Sequence, residues 1–186
     1  MAAGGRSCRE DAQAHLRVFF AFWPSLAVRD ELTAWAQACL PSSGGRLVRH
    51  DNLHATLAFL GEIERSRLPE LLALPDEIAC SRFELILDRI GYWRHNSVVY
   101  AGASRPPPRL PAFAASLAQR LAQSGFRTED RPYVPHVTLL RDARRAPEDM
   151  HMEPLCWNVD TIVLAESAQS GGRLLYRPLQ RWTLPP

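Results

Sequence analysis

Two short strings carry residue types that can do chemistry: His54-Ala55-Thr56-Leu57 and His136-Val137-Thr138-Leu139. Side chains alternate along a strand, so positions i and i+2 share a face. His54 and Thr56 therefore point one way, while Ala55 and Leu57 point into the packing; His136 and Thr138 repeat the pattern. Imidazole titrates near neutral pH and serves as acid or base. Two imidazoles on opposite sides of a phosphorus atom permit in-line displacement, one neutral and one protonated. Two threonine hydroxyls can donate to the non-bridging oxygens and stabilise charge in the transition state. This scheme calls for no metal and no cofactor.

A lone histidine on a strand is more often structural than catalytic, so the argument rests on the pair. Six His and six Thr in 186 residues give about 0.2 His-x-Thr strings by chance, and here there are two. Both follow a turn (Asp51-Asn52 and Pro132 to Pro135), open a strand and continue into leucine.

The elements that must position these motifs can be read from hydrophobic periodicity. Arg17 to Trp23 (RVFFAFW) reads as a buried strand stopped by Pro24. Ser25 to Leu40 reads as a helix, with Leu26, Leu32, Trp35, Ala36 and Cys39 near helical spacing, ended by Pro41, Gly44 and Gly45. Arg46 to His50 is a short strand and Leu53 to Leu60 the strand of the first motif. A helix is expected over Glu64 to Leu74. Phe83 to Trp93 reads as one long strand, turning at Arg94 to Asn96 into a hairpin partner, Ser97 to Ala103. Pro106 to Pro108 opens a helix over Leu110 to Gln123, closed by Gly125. His136 to Leu140 carries the second motif. Trp157 to Ser167 and Arg173 to Thr183 form a hairpin around Gly171 and Gly172. Each half thus offers strand, helix, short extended segment and a His-x-Thr strand. This weak internal repeat points to two similar α+β lobes, each lending one strand to a shared cleft.

Bulk properties exclude other classes. Arginine supplies all 22 basic residues, for the chain contains no lysine. That rules out a Walker-A lysine, a Schiff base and a lysyl-adenylate ligase. A formal net charge of +2 is too balanced for a tail-driven nucleic-acid binder. Cys8, Cys39, Cys80 and Cys156 are scattered and fit neither a zinc knuckle nor a disulfide framework, which suits idle thiols in a reducing compartment. Residues 1–15 lack the apolar run of a signal peptide, and no apolar stretch is long enough to span a bilayer. A cytoplasmic, monomeric protein without membrane contact is expected. Residues 1–16 are expected to be a flexible extension, and 17–186 one bilobal domain.

Longer strings around the motifs carry a family resemblance: NLHATLAFLGE (Asn52 to Glu62), RPYVPHVTLLRDA (Arg131 to Ala143), GYW…VVY (Gly91 to Tyr100), RVFFAFWP near the start and YRPLQRW at the close. Together they resemble the bacterial RNA 2′,3′-cyclic phosphodiesterases, the 2′-5′ RNA ligase family of the two-histidine phosphoesterase superfamily. The resemblance covers roughly Arg17 to Trp182. It implies an α+β, bilobal fold with two antiparallel sheets lining a central cleft and helices outside. It implies hydrolysis of an RNA terminal 2′,3′-cyclic phosphate to a 2′-phosphate and a free 3′-hydroxyl. The reverse chemistry is ATP-independent 2′-5′ joining of tRNA halves. By the same resemblance His54 is the proton donor, His136 the proton acceptor and Arg141 the phosphate-assisting arginine. Ala55 departs from the family, where a bulkier residue such as Leu is common, and bears on packing rather than chemistry. A non-catalytic RNA-binding module keeping this fold is the alternative, against which the intact motifs speak.

Other residues carry weaker signals. Arg141 lies three residues after Thr138, so regular alternation would point it away from the cleft; a bend or bulge would return it. Phe20, Trp93 and Tyr133 are the candidates for stacking a base, although aromatic residues at such positions are often core. Arg17, Arg131, Arg144 and Arg145 are candidates for RNA phosphates. His15, His50 and His95 have no partner pattern. Glu148 to Glu153 superficially resembles a metal cluster but lacks ligand spacing.

Overall fold

The computed structural model describes residues 14–74, 80–128, 132–148 and 152–186. Strand β1 (His15–Phe22) leads into helix α1 (Leu26–Ser43), the two-residue β2 (Arg46–Leu47) and β3 (Ala55–Glu64). After α2 (Leu68–Ala73) come β4 (Phe83–Leu87), β5 (Arg89–Trp93), β6 (Val98–Gly102), α3 (Arg109–Gln123) and β7 (His136–Arg141). Strands β8 (Leu155–Val159), β9 (Thr161–Ser170) and β10 (Arg173–Thr183) close the chain. Two four-stranded sheets result, in the orders β10-β9-β1-β3 and β2-β7-β6-β5, with a small β4-β8 pair beside them. Every pairing is antiparallel.

The expected α+β fold is present, and the repeat is visible in its pairings. β1 lies against β3 in one sheet and β6 against β7 in the other, each pair connected through a helix. The helices cross over: α1 lies against β7, and α3 against β3. One hydrophobic cluster therefore runs through both sheets, with Leu32 and Trp35 of α1, Leu57 of β3, Leu117 of α3 and Leu139 of β7 all in it. This shared core fixes the two motif strands relative to each other.

Several boundaries differ from expectation. β1 begins at His15, whose partner is Glu64, so ordered strand reaches into the segment expected to be extension. Residues 1–13 lie outside the described residues. α1 starts as expected, with the Ser25 hydroxyl accepting from the Val28 N–H, but it runs through Pro41. A proline near the end removes only one helical hydrogen bond, and the Gly44 N–H still reaches the Leu40 carbonyl at 2.8 Å. Only Arg46–Leu47 of the expected Arg46 to His50 strand pairs, since His50–Asn52 forms a 3₁₀ turn. The expected Glu64 to Leu74 helix becomes a 3₁₀ turn, Arg65–Arg67, followed by α2.

The two long strands each break in two. Phe83 to Trp93 divides at Asp88, whose carboxylate accepts from the Ser104 backbone N–H at 2.7 Å. Trp157 to Ser167 divides at Asp160, whose carbonyl accepts from the Leu184 N–H at 2.7 Å. In both places the chain leaves the β4-β8 pair and enters a large sheet. Period-2 alternation continues through such a switch, which is why hydrophobicity alone did not show it.

Candidate active site

Both histidines line one cleft of about 480 Å³, together with Thr56, Thr138, Arg141, Arg17, Phe19, Phe59, Trp93, Gln169 and Tyr176. Local backbone geometry sets each imidazole in the same way. His54 Nδ1 lies 2.6 Å from the Asn52 carbonyl oxygen, and His136 Nδ1 lies 2.8 Å from that of Val134. A carbonyl only accepts, so each Nδ1 carries the proton and donates it two residues back. Each Nε2 is then the atom left for chemistry. His54 Nε2 is 3.0 Å from the Thr56 hydroxyl oxygen.

The alternation expected of each motif is observed. Ala55, Leu57, Val137 and Leu139 are buried, while His54, Thr56, His136 and Thr138 are only half-buried. Ala55, the departure from the family pattern, is fully enclosed in the core. Arg141 reaches the cleft through a bulge. Tyr100 pairs with Thr138, and Val99 pairs with Leu140, so Leu139 is an extra residue on β7. Leu139 and Leu140 are then both buried, and Arg141 returns to the face of Thr138.

Aromatic rings brace both imidazoles. His54 sits among Phe19 (centroids 4.8 Å apart), Trp23 (5.6 Å, nearly parallel) and Tyr176 (4.9 Å, edge-on). His136 meets Trp93 edge-on at 4.4 Å, and Trp93 stacks on Tyr100 at 4.2 Å. Gly91 makes that stack possible. A Cβ there would fall 2.2 Å from the Tyr100 ring, which explains the GYW…VVY string. Asn52, a buried polar residue, donates to the Leu174 carbonyl and accepts from the Tyr176 N–H. It thus ties β10, and with it the Tyr176 ring, to the first motif.

Burial among these rings pushes His54 from its ordinary value of 6.5 down to about 4; the Asn52 carbonyl works against this, and the nearby charges of His136 and Arg141 add to it. The phenol of Tyr133 is pushed up by burial, and its hydroxyl has no hydrogen-bond partner. Tyr133 and Trp93 line an apolar cavity of about 360 Å³ that shares Thr56, Phe59, Trp93 and His136 with the cleft.

Phe20 is the correction among the candidate residues. It is fully buried, packed toward Trp182 in the core, and lines neither the cleft nor the apolar cavity. Its neighbour Phe19 holds the cleft position, because alternation turns adjacent residues to opposite faces. Sequence reading also missed Phe59, Gln169 and Tyr176, for which no motif gave a signal. Arg17 lines the cleft, whereas Arg144 and Arg145 are exposed outside it; Arg131 lies outside the described residues. His50 pairs with Asp30 at 2.9 Å. Part of the Glu148 to Glu153 segment is not described, and no cluster among the described residues has the makings of a metal site. Cys39 is buried, its thiol pushed up to about 11, which fits an idle thiol. No described helix is long and apolar enough to cross a membrane.

Comparison with known proteins agrees with this geometry. The 2′-5′ RNA ligase superfamily profile matches residues 22–171. The chain is 38% identical to the RNA 2′,3′-cyclic phosphodiesterase of Escherichia coli over 172 residues, covering 90% of this chain and 96% of that one. It is 30% identical to the enzyme of that name from Methanocaldococcus jannaschii, over 68% of this chain and 71% of that one. The crystal structure of E. coli LigT complexed with 3′-AMP superposes with a TM-score of 0.80 at 37% identity, covering 91% of this chain and 98% of that one. With a matching profile over most of its length and both motifs facing one cleft, the chain belongs to the 2′-5′ RNA ligase superfamily.

Proposed function

We infer that this protein is an RNA 2′,3′-cyclic phosphodiesterase, opening a terminal cyclic phosphate to leave a 2′-phosphate and a 3′-hydroxyl. The observation that carries the reading is the matched tautomer: two imidazoles, each donating from Nδ1 to the carbonyl two residues back, share one cleft with Thr56, Thr138 and Arg141. Water attacks phosphorus in line with the 3′-oxygen. His136 Nε2 takes the proton of the attacking water, and His54 Nε2 delivers a proton to the leaving 3′-oxygen. The threonine hydroxyls and the Arg141 guanidinium hold the non-bridging oxygens as charge builds on them. Acid, base and charge stabilisation are all supplied by side chains, so the scheme requires neither ATP nor a metal.

The terminal base fits the apolar cavity beside His136, which Trp93 and Tyr133 line. Joining of tRNA halves is the reverse reaction. Water at roughly 55 M favours hydrolysis unless both RNA ends are held in place. We place the enzyme in the cytoplasm, acting as a monomer.

One observation favours exchanged roles. With His54 held down to about 4, it is neutral in the free enzyme near pH 7, the state of a base. The donor role requires the phosphate anion to stabilise protonated His54 after binding. The deciding assay offers nucleoside 2′,3′-cyclic phosphates and cyclic-phosphate-ended RNA in EDTA without ATP. Turnover to the 2′-phosphate is expected. Binding without turnover would make the chain an RNA-binding module, and activity restored only by a divalent ion would overturn the two-histidine scheme.

A further inference from the structure

A second groove, of about 580 Å³, opens from the catalytic cleft on the side away from the apolar cavity. It shares Arg141, Gln169, Leu174 and Tyr176 with the cleft, so the two are continuous. Arg46, Arg49 and Arg173 line it, and no carboxylate does. All three side chains belong to exposed residues, and two large apolar side chains stand beside them in water: Leu47, 41% exposed, and Leu174, 38% exposed. Arg46 is held by Asp142, and Arg49 is 3.6 Å from Asp51. The groove is built on firm elements, since β2 pairs with β7 and Asn52 ties β10 beneath it.

Cations along a groove with interleaved apolar faces are the surface that a single-stranded nucleic acid recognises: charges follow the backbone and apolar groups cover a base or ribose. Direction follows from chemistry. The cyclic phosphate is the 3′ end of the chain, so the remaining RNA leaves through the 5′-oxygen of the terminal nucleoside. Of the two flanks of the cleft, one is apolar and suits a base; the other presents three guanidinium groups and suits phosphodiesters.

We propose that Arg49 and Arg173, with Arg46 already engaged by Asp142, let this groove bind the backbone of the penultimate nucleotides, making this enzyme selective for oligonucleotide ends over free cyclic mononucleotides. The proposal rests on the phosphodiesterase reading. A single-stranded phosphate contact contributes a salt slope of about −0.7. Two contacts therefore cost about sevenfold in affinity between 50 and 200 mM salt.

The test compares a nucleoside 2′,3′-cyclic phosphate with a cyclic-phosphate-ended tetranucleotide carrying the same terminal nucleoside, in the wild type and in R49A/R173A. The wild type should prefer the tetranucleotide, with KM rising more steeply with salt by a slope of about 1.4. In R49A/R173A that extra slope and the preference should vanish, while mononucleotide turnover stays unchanged and certifies the fold. Charge reversal, R173E, should push the tetranucleotide KM higher still. Equal salt slopes for both substrates in the wild type, or equal losses on both in the variant, would overturn the groove. Failure of the wild type to turn over either substrate would instead sink the phosphodiesterase reading. The groove would then be judged by anisotropy of a labelled tetranucleotide, where loss of salt-sensitive binding in R49A/R173A supports it and unchanged binding refutes it.

Discussion

Phe59 and Arg141 occupy equivalent positions, each three residues past the threonine of its motif and each turned into the cleft by an extra leucine. On β3, Ala21 pairs with Thr56 and Phe20 with Ala58, which leaves Leu57 unmatched; on β7 the unmatched residue is Leu139. One backbone device, used twice, delivers an aromatic ring to one wall and a guanidinium to the other. Arg141→Ala should lower kcat by about 10²–10³, the usual loss for one transition-state donor. Arg141→Lys should recover little, because an ammonium cannot grip phosphate in a planar fork. Steady-state kinetics with unchanged circular dichroism would check both.

In the proposed scheme the histidines act as a unit. His54→Ala and His136→Ala should each reduce turnover by about 10²–10⁴-fold, and the double variant should be scarcely worse than either. Multiplicative losses would mean that the two imidazoles do not serve one step.

Substrates with differing leaving groups assign the roles. A good leaving group needs little protonation, so it should rescue His54→Ala far more than His136→Ala. Equal rescue, or rescue of His136→Ala alone, would exchange acid and base, the assignment that the low pKa of free His54 favours.

Titration of His54 by NMR should show its sign directly. In the free enzyme it should protonate near 4, below the ordinary 6.5, and inorganic phosphate should raise that value by compensating the buried charge. Because the unfolded chain binds this proton more readily, stability should fall as pH drops from about 6.5 toward 4. Denaturant midpoints over that range, compared with His54→Ala, would measure it. A free-enzyme value near 6.5 would remove the burial argument.

Gly91 bears on the second imidazole without touching it. Gly91→Ala places a Cβ within the space of the Tyr100 ring, so Tyr100 must move and Trp93 with it. Turnover should fall while far-UV circular dichroism stays native, and adding Tyr100→Ala should cost little more, since both changes disrupt the one stack. Undiminished activity in Gly91→Ala would show that the stack does not hold His136.

Much of the candidate site was legible in one dimension. His54, Thr56, His136 and Thr138 announce themselves because strand alternation is a local rule: two residues apart means one face, whatever the rest of the chain does. Helices α1 and α3 and the closing hairpin were legible from periodicity and from the prolines and glycines at their ends. What the tertiary structure decided was non-local. Whether Phe19 or Phe20 faces the cleft depends on which side of β1 the core lies, and alternation is silent about that choice. Asp88 and Asp160 end their strands because the next residues find partners in another sheet. Arg141 faces the cleft because β6 and β7 pair with one residue to spare. Tyr176, more than a hundred residues from His54, reaches it through a tie to Asn52. Each of these depends on pairing between distant segments, which local sequence pattern does not encode.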